Sequence, residues 1–290
     1  MVGTPVGDRT EFRSLGPTDL PALRSLLERS VPDDYILPMA GPWLKGGHAL
    51  GAWRAGTLLA VLRLDDLGDG EGWIGGIRVA PGLRRQGLGR SLMDYTHGEA
   101  KRRGLTQLRM LIEEENAPSE ALARSTGYSM TGKVSHLAGT LTSTAHAPRA
   151  ELLATEPTGD PRRMRWVEAF GGLFSPMVVE RLRLVRATGE RLRREARSGN
   201  LWGVQGSDTR FVLSPPFSAT WTPSRVRSLS PLDGPLEEIL DATHALTAGE
   251  GVIIDVFLPV EERALQVAEA RGLVRGALWG ATIGLYERRL

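Results

Sequence analysis

Apolar residues over the first 141 positions switch repeatedly between a two-residue period and a three-to-four-residue period. Glu11 to Leu15 reads as a short strand. Thr18 is placed to cap a helix running to about Arg29, with Leu20, Leu23, Leu26 and Leu27 on one face. Residues 31–48 are a Pro- and Gly-rich loop carrying Tyr35, Met39 and Trp43, and a loop of that length points to a function. Leu50–Trp53 and Leu58–Leu64 make a hairpin about Arg54-Ala55-Gly56-Thr57, and Asp65 to Gly70 is a polar turn. An apolar strand from Trp73 to Val79 breaks at Pro81, and a helix follows from about Gly89 to Arg103. A further strand and helix lie within 108–128, and Lys133 to Leu141 closes the series. Strands alternating with helices predict a mixed α/β sheet flanked by helices.

The texture changes at Ala145–Pro161, which holds three prolines and little periodic apolar content. The chain therefore divides into a first domain over 1–146, a linker over 147–160 and a second domain over 161–290. Val178, Leu182, Val185, Leu192 and Ala196 share one helical face, which predicts a helical hairpin over 176–198. Asn200–Gly206, Arg210–Leu213 and Arg225–Leu229 are candidate strands. Val252–Leu258 reads as a strand, Glu261–Arg271 as a helix and Ala277–Tyr286 as a strand.

Composition narrows the function classes. A length of 290 residues suits two lobes. Cysteine is absent, which excludes a disulfide framework, a thiolate nucleophile and a zinc–thiolate site. No apolar run approaches the roughly 20 residues needed to span a bilayer, and the first residues lack a signal-type apolar core. A soluble, cytoplasmic protein without a membrane partner is expected. Only three of the 36 basic residues are lysines (Lys45, Lys101, Lys133), yet acidic residues hold the net charge to +2. The arginines read as a solvated surface rather than a nucleic-acid face. His48, His97, His136, His146 and His244 show no ligand spacing, so no metal is expected.

The most informative stretch is Ile77-Arg-Val-Ala-Pro-Gly-Leu-Arg-Arg-Gln-Gly-Leu-Gly-Arg90. A strand, a basic glycine-bearing turn and a helix start together make an anion site, because the first amides of a helix have no intrahelical partner. Gly87 and Gly89 allow close approach to the backbone, and Arg84, Arg85 and Arg90 add positive charge. A pyrophosphate is the natural guest. No Gly-Lys-Ser/Thr follows, so this is not a Walker loop, and no acidic ribose ligand sits where a dinucleotide fold needs one.

The spacing Arg84-x-x-Gly87-x-Gly89 resembles the acyl-CoA loop of the GNAT superfamily of N-acetyltransferases, Arg/Gln-x-x-Gly-x-Gly/Ala. Downstream, Asn116, a helix and the pair Gly127-Tyr128 resemble the family's next motif, in the right order. The resemblance implies a GNAT-like α/β fold for the first domain and acetyl-CoA as co-substrate. It implies contacts to that co-substrate from Ile77, Val79, Arg84, Arg85, Gln86, Gly87, Leu88, Gly89, Arg90 and Asn116, with the Val79 N–H as oxyanion donor. The reaction implied is direct attack of a primary amine, from a small molecule or a peptide, on the thioester in a ternary complex. The absent cysteine and the absence of a Gly-x-Ser-x-Gly elbow agree with a route that has no acyl-enzyme.

Glu71 is the candidate general base, since it shares strand parity with Trp73, Ile77 and Val79. In several relatives the base falls at the position of Trp73. Asp65, Asp66 and Glu113 are the other candidates. Many relatives also carry a tyrosine four residues before the Gly-aromatic pair, where this chain has Ala123. An acyl-CoA-binding regulatory protein with weak or lost transfer is the alternative reading.

The last forty residues echo the first domain, with Arg271-Gly272-Leu273 falling where Gly127-Tyr128 stands. The second domain is therefore expected to be a smaller, degenerate GNAT-like lobe, with a sterol-carrier-like lobe as the competing reading. It is expected to hold no CoA, because Ser230-Pro-Leu-Asp-Gly-Pro-Leu-Glu-Glu238 stands in place of the phosphate turn and two glutamates there repel a phosphate. Its expected role is to shape the acceptor cleft or to form a homodimer contact.

Overall fold

A computed structural model of the chain describes residues 9–31, 34–142, 148–154, 164–166, 177–179, 183–218, 222–277 and 280–290. The chain divides into two compact units. The first comprises Met1–Leu111, Asn116–Met130 and Tyr286–Leu290, and the second Ile112–Glu115 and Thr131–Leu285. The linker expected over 147–160 lies partly outside the described residues, and within its described part Ala150–Leu152 forms a strand.

In the first unit, β1 (Glu11–Ser14) precedes α1 (Leu20–Ser30) and the short α2 (Ala40–Trp43). Next come β2 (Ala49–Arg54), β3 (Thr57–Gly68) and β4 (Glu71–Val79), paired antiparallel in sequence order with β1 at the edge. α3 (Leu88–Arg102) crosses over to β5 (Gln107–Glu113), which runs parallel to β4 and leads to α4 (Ala117–Ser125). Leu23, Leu26 and Leu27 of α1 bury against Trp43, Ala49, Trp53 and Val61, so the apolar stripe foreseen for that helix is its core face. Its N-cap is Asp19 rather than Thr18. The Asp19 carboxylate accepts from the Gly16 amide at 2.9 Å and pairs with Arg13 at 2.7 Å.

β3 overruns the polar turn expected at Asp65–Gly70. Asp65 and Asp66 pair with Trp73 and Gly72 of β4, and the turn is confined to Asp69 and Gly70. Asp65 tolerates its buried place because Arg63 lies 2.7 Å from its carboxylate and His48 3.4 Å.

The second unit holds most of β6 (Ser129–Gly139), followed by β7 (Ala150–Leu152), β8 (Met177–Val179) and β9 (Leu184–Arg186). α5 (Gly189–Arg197) leads to β10 (Leu201–Val204), β11 (Arg210–Leu213), β12 (Phe217–Ser218) and β13 (Arg225–Asp233). α6 (Leu236–Thr247), β14 (Ile253–Pro259), α7 (Glu262–Ala270), β15 (Val274–Arg275) and the first part of β16 (Thr282–Arg289), up to Leu285, complete it. The strand order is β6-β14-β13-β11-β10-β7, with β13 and β14 parallel. Leu229, Ile254, Val256 and Leu258 of this sheet pack against Leu236, Ile239 and Leu240 of α6 and Leu265 and Ala268 of α7.

Among the described residues of 176–198 no helical hairpin forms. β8 and β9 pair antiparallel, and only Gly189–Arg197 is helical, capped by Thr188, whose side chain accepts from the Arg191 amide at 3.1 Å. Val185 is β-branched and suits its strand.

The echo between the two halves is structural. α4 ends with the Tyr128 amide bonded to Ala123 O at 3.0 Å, and α7 with the Leu273 amide bonded to Ala268 O at 3.2 Å. The glycine between lies in the left-handed region both times, Gly127 at φ 87° and Gly272 at φ 91°.

Candidate active site

β4 and β5 are hydrogen-bonded neighbours only over Glu71, Gly72 and Trp73, after which the two parallel strands diverge. The cause lies in β4. Between its pairs Arg63↔Gly75 and Val61↔Arg78, one extra residue on β4 makes a bulge at Gly76–Ile77. Gly76 takes φ 62°, and a Cβ there would lie 2.5 Å from the Trp43 ring and 2.9 Å from Ile36. Trp43 is thus a buried packing residue that seats the bulge, whereas Tyr35 is 47% exposed. Residues 75–79 beyond the bulge are partly open.

The Ala80 amide bonds to Leu59 O of β3 at 2.8 Å, which makes Val79↔Ala60 a pair that exchanges no hydrogen bonds. The Val79 N–H therefore points away from β3, into the gap on the β5 side. Ile77 lies two residues earlier on the same open stretch.

The chain then turns through Pro81–Leu83, Arg85 at φ 62° and Gly87 at φ 84°, the N-cap of α3. Among the described residues, the backbone amides of Arg85, Gln86, Gly87, Leu88, Gly89 and Arg90 have no protein acceptor; the first amide of α3 that has one is that of Ser91, bonded to Gly87 O at 3.0 Å. A run of outward amides at a helix N-terminus is an anion cradle.

The three arginines of this turn do different things. Arg84 donates to Ser30 O at the end of α1 and to Val79 O at 3.3 Å. Arg90 donates to Ser125 O at the end of α4. Both thus anchor the turn to the carbonyl ends of helices, where a cation is favoured. Arg85 alone is exposed with no side-chain partner among the described residues. Gln86 Nε2 donates to Gly82 O at 2.8 Å, and Leu88 is buried. Gly89 is not shaped for close approach of a ligand: a Cβ there would meet Leu122 at 3.5 Å and Val79 at 3.6 Å, ordinary packing distances. Asn116 is the N-cap of α4, its side chain accepting from the Ser119 amide at 3.2 Å.

Glu71 is placed elsewhere. It sits at the opposite end of β4 from Val79, about 25 Å of strand away. It is 2% exposed, with Arg109 Nη1 at 2.7 Å from its carboxylate. Arg109 is itself fully buried and also pairs with Glu287. The geometry speaks against Glu71 as base: its carboxylate is buried against a guanidinium at the end of the strand remote from Val79. The bulge at Gly76–Ile77 also breaks the strand parity expected to link Glu71 with Ile77 and Val79, and distance along the strand separates them further. Asp65 lies at the same remote end. Ala123 is buried, at 1% exposure.

Residues 20–128 match the model of the acetyltransferase (GNAT) family. This segment is a GNAT domain. Similar solved structures extend the likeness over the whole chain. The GCN5-related N-acetyltransferase of Sphaerobacter thermophilus aligns over 98% of this chain and 97% of its own, at 16% identity and a TM-score of 0.59. A tandem GNAT protein from the clavulanic acid biosynthesis pathway aligns over 97% and 98%, at 14% identity and a TM-score of 0.55. The GCN5-related N-acetyltransferase of Kribbella flavida aligns over 98% of this chain and 72% of its own, at 14% identity and a TM-score of 0.51. At these identities the likeness is one of fold, and the fold is that of a tandem GNAT protein. No curated protein sequence matches the chain.

The second GNAT-like unit repeats the diverging strands without the cradle. β13 and β14 pair from Val226↔Ile253 to Leu229↔Val256, and β13 runs on to Asp233 with an irregularity opposite Arg210 and Phe211. Only Gly234 and Pro235 then separate β13 from α6. The Glu238 carboxylate, in the first turn of α6, accepts from Ser207 Oγ at 2.9 Å and from Thr209 Oγ1. A Cβ at Gly234 would lie 2.1 Å from Thr209, and Trp166 Nε1 donates to Gly234 O at 2.9 Å. The turn is short, closed and already holds an anion of the chain's own.

Among the described residues, no group of three or more His, Asp or Glu side chains is placed to hold a metal, and no helix is long and apolar enough to cross a membrane.

Proposed function

We propose that this protein transfers the acetyl group of acetyl-CoA to a primary amine through its GNAT domain. The observation that carries the reading is one continuous feature: the gap beside Val79 leads directly into the run of free amides from Arg85 to Arg90. On this reading the amides and Arg85 take the pyrophosphate, and the pantetheine lies along the open edge of β4. The thioester carbonyl accepts the Val79 N–H, which stabilises the oxyanion as the amine nitrogen attacks. The C–N bond forms, the tetrahedral intermediate collapses, and the C–S bond breaks to release CoA thiolate.

With Glu71 and Asp65 committed to buried pairs far from the gap, the amine loses its proton to water. The thiolate leaves without a tyrosine donor, since Ala123 has nothing to donate. A thiol pKa near 8.5 makes that route feasible close to neutrality, though slower than one with acid help. The second reading, an acyl-CoA-binding regulator, is favoured by the burial of Glu71 and Asp65 and by the lack of a hydroxyl at Ala123.

Calorimetry with acetyl-CoA, followed by thiol release with a panel of primary amines, tests both readings. Binding of one acetyl-CoA per chain with amine-dependent thiol release is expected. Tight binding without release for any amine would leave the regulator, and no binding would remove both readings. Binding of two would contradict the closed turn at Glu238.

A further inference from the structure

A cavity of about 190 Å³ lies behind the cradle, lined by Thr10, Phe12, Arg54, Leu83, Gln86, Leu88 and Ser91. Its walls come from β1, the end of β2, the turn after β4 and the first turn of α3, all within the first unit.

Its chemistry is one-sided. Arg54 supplies a guanidinium, and no carboxylate is among the lining residues. Arg54 Nη2 donates to Thr10 Oγ1 at 3.2 Å. Its Nε is buried and has no hydrogen-bond partner among the described residues. That N–H is closed off from the cavity too, but the guanidinium as a whole has no carboxylate partner among the described residues, and the acceptor that suits a guanidinium is a planar anion. Thr10 and Ser91 add hydroxyls, while Phe12, Leu83 and Leu88 give the rest of the wall an apolar surface. The Phe12 ring is held in place by stacking on Tyr95, with centroids 5.4 Å apart. Convergent polar groups on one side and fixed apolar groups on the other are the make-up of a small-molecule site.

We propose that this cavity binds a small aromatic carboxylate, its acid group on Arg54 and its ring against Phe12, Leu83 and Leu88. Gln86, Leu88 and Ser91 line the cavity on one side and belong to the turn and helix start that form the cradle on the other. An occupant therefore fixes the turn, and its binding is coupled to that of any ligand on the amides. By linkage the coupling is reciprocal.

The test uses the full chain with benzoate as probe, benzamide as its neutral isostere, and no acetyl-CoA. Benzoate is expected to bind by calorimetry, and benzamide at least about tenfold more weakly, because a charge-assisted pair is replaced by a neutral contact. Arg54→Met should weaken benzoate by about the same factor, and Arg54→Lys by less. Equal binding of benzoate and benzamide, or no binding of either, overturns the proposal on wild-type protein alone, whatever the variants do. A second arm rests on the acetyl-CoA reading: saturating benzoate should shift the acetyl-CoA Kd in wild type and not in Arg54→Met. Failure of that arm with benzoate bound refutes the coupling, and absence of acetyl-CoA binding altogether refutes the earlier reading instead.

Discussion

Arg288 donates from Nη1 to Nδ1 of His97, 2.9 Å away, across 191 positions of sequence. Arginine has no acceptor, so His97 Nδ1 is unprotonated and its Nε2–H donates to Tyr128 Oη at 3.2 Å. The same guanidinium donates to Thr126 O at the end of α4. One residue thereby fixes the middle of α3, the end of α4 and the aromatic of the Gly-aromatic pair. Ending the chain at Leu285 removes Arg288 together with Glu287 and the bond from the Leu290 amide to Thr106 O. We expect loss of acetyl-CoA binding and of cooperative melting of the first unit, with Arg288→Ala an intermediate case. A truncated chain that melts and binds like wild type would contradict this.

Burial, and then the facing Arg288, lower the His97 pKa to about 4. The unfolded chain takes up this proton near 6.5 and the folded one does not until about 4. Between those values the unfolded state binds more protons, so stability is full above pH 6.5 and is lost as pH falls toward 4, by about 3 kcal/mol. Urea melts between pH 7 and 4.5 should show this slope. His97→Gln should begin less stable but lose less on acidification; an unchanged slope would place the acid sensitivity elsewhere.

Glu71→Gln separates a structural carboxylate from a base. Breaking its buried pair with Arg109 should cost about 3 kcal/mol of stability, while kcat per folded molecule stays within about twofold. A fall in kcat of about 10²–10⁴ with stability unchanged would restore Glu71 as the base.

The two turn glycines should respond in opposite ways. Gly87→Ala forces a Cβ onto a residue at φ 84° and costs about 1–2 kcal/mol, or deforms the cradle instead. Either way the melting shift produced by acetyl-CoA should shrink markedly. Gly89→Ala meets Leu122 and Val79 only at ordinary distances and should keep that shift.

Ala123→Tyr tests the missing donor. Ala123 is buried, so the larger side chain should cost about 1–3 kcal/mol through overpacking. If it folds, kcat with the best amine should rise while acetyl-CoA affinity holds. A wild-type rate already fast and insensitive to this change would mean another donor is in place.

The cradle was legible because its requirements are local. A residue at φ 84°, a helix start and a basic turn are written into consecutive residues such as Gly87 and Arg85. The role of Glu71 was not legible, because what neutralises it is Arg109 on the next strand, held in turn by Glu287 far along the chain. The bulge at Gly76 was hidden for a like reason, since only the Trp43 and Ile36 side chains packed over it reveal why glycine stands there. In residues 176–198 the apolar spacing fits a helix as well as a strand. β-branching at Val185 suits the strand that precedes the helix, and the Thr188 cap set where the helix could begin.

Membership of Tyr286–Leu290 in the first unit has a consequence for biosynthesis. Residues up to Leu111 leave the ribosome well before Tyr286–Leu290, and a unit made early would ordinarily fold while the rest is still being made. Here the buried Arg109 has only one of its two carboxylates, and His97 lacks its guanidinium, until Glu287 and Arg288 have emerged from the ribosomal tunnel. The amide cradle at Arg85–Arg90 is thus synthesised well before the residues that secure its scaffold. A chain abandoned partway through translation would carry the whole Arg84–Arg90 motif without the residues that hold its scaffold together.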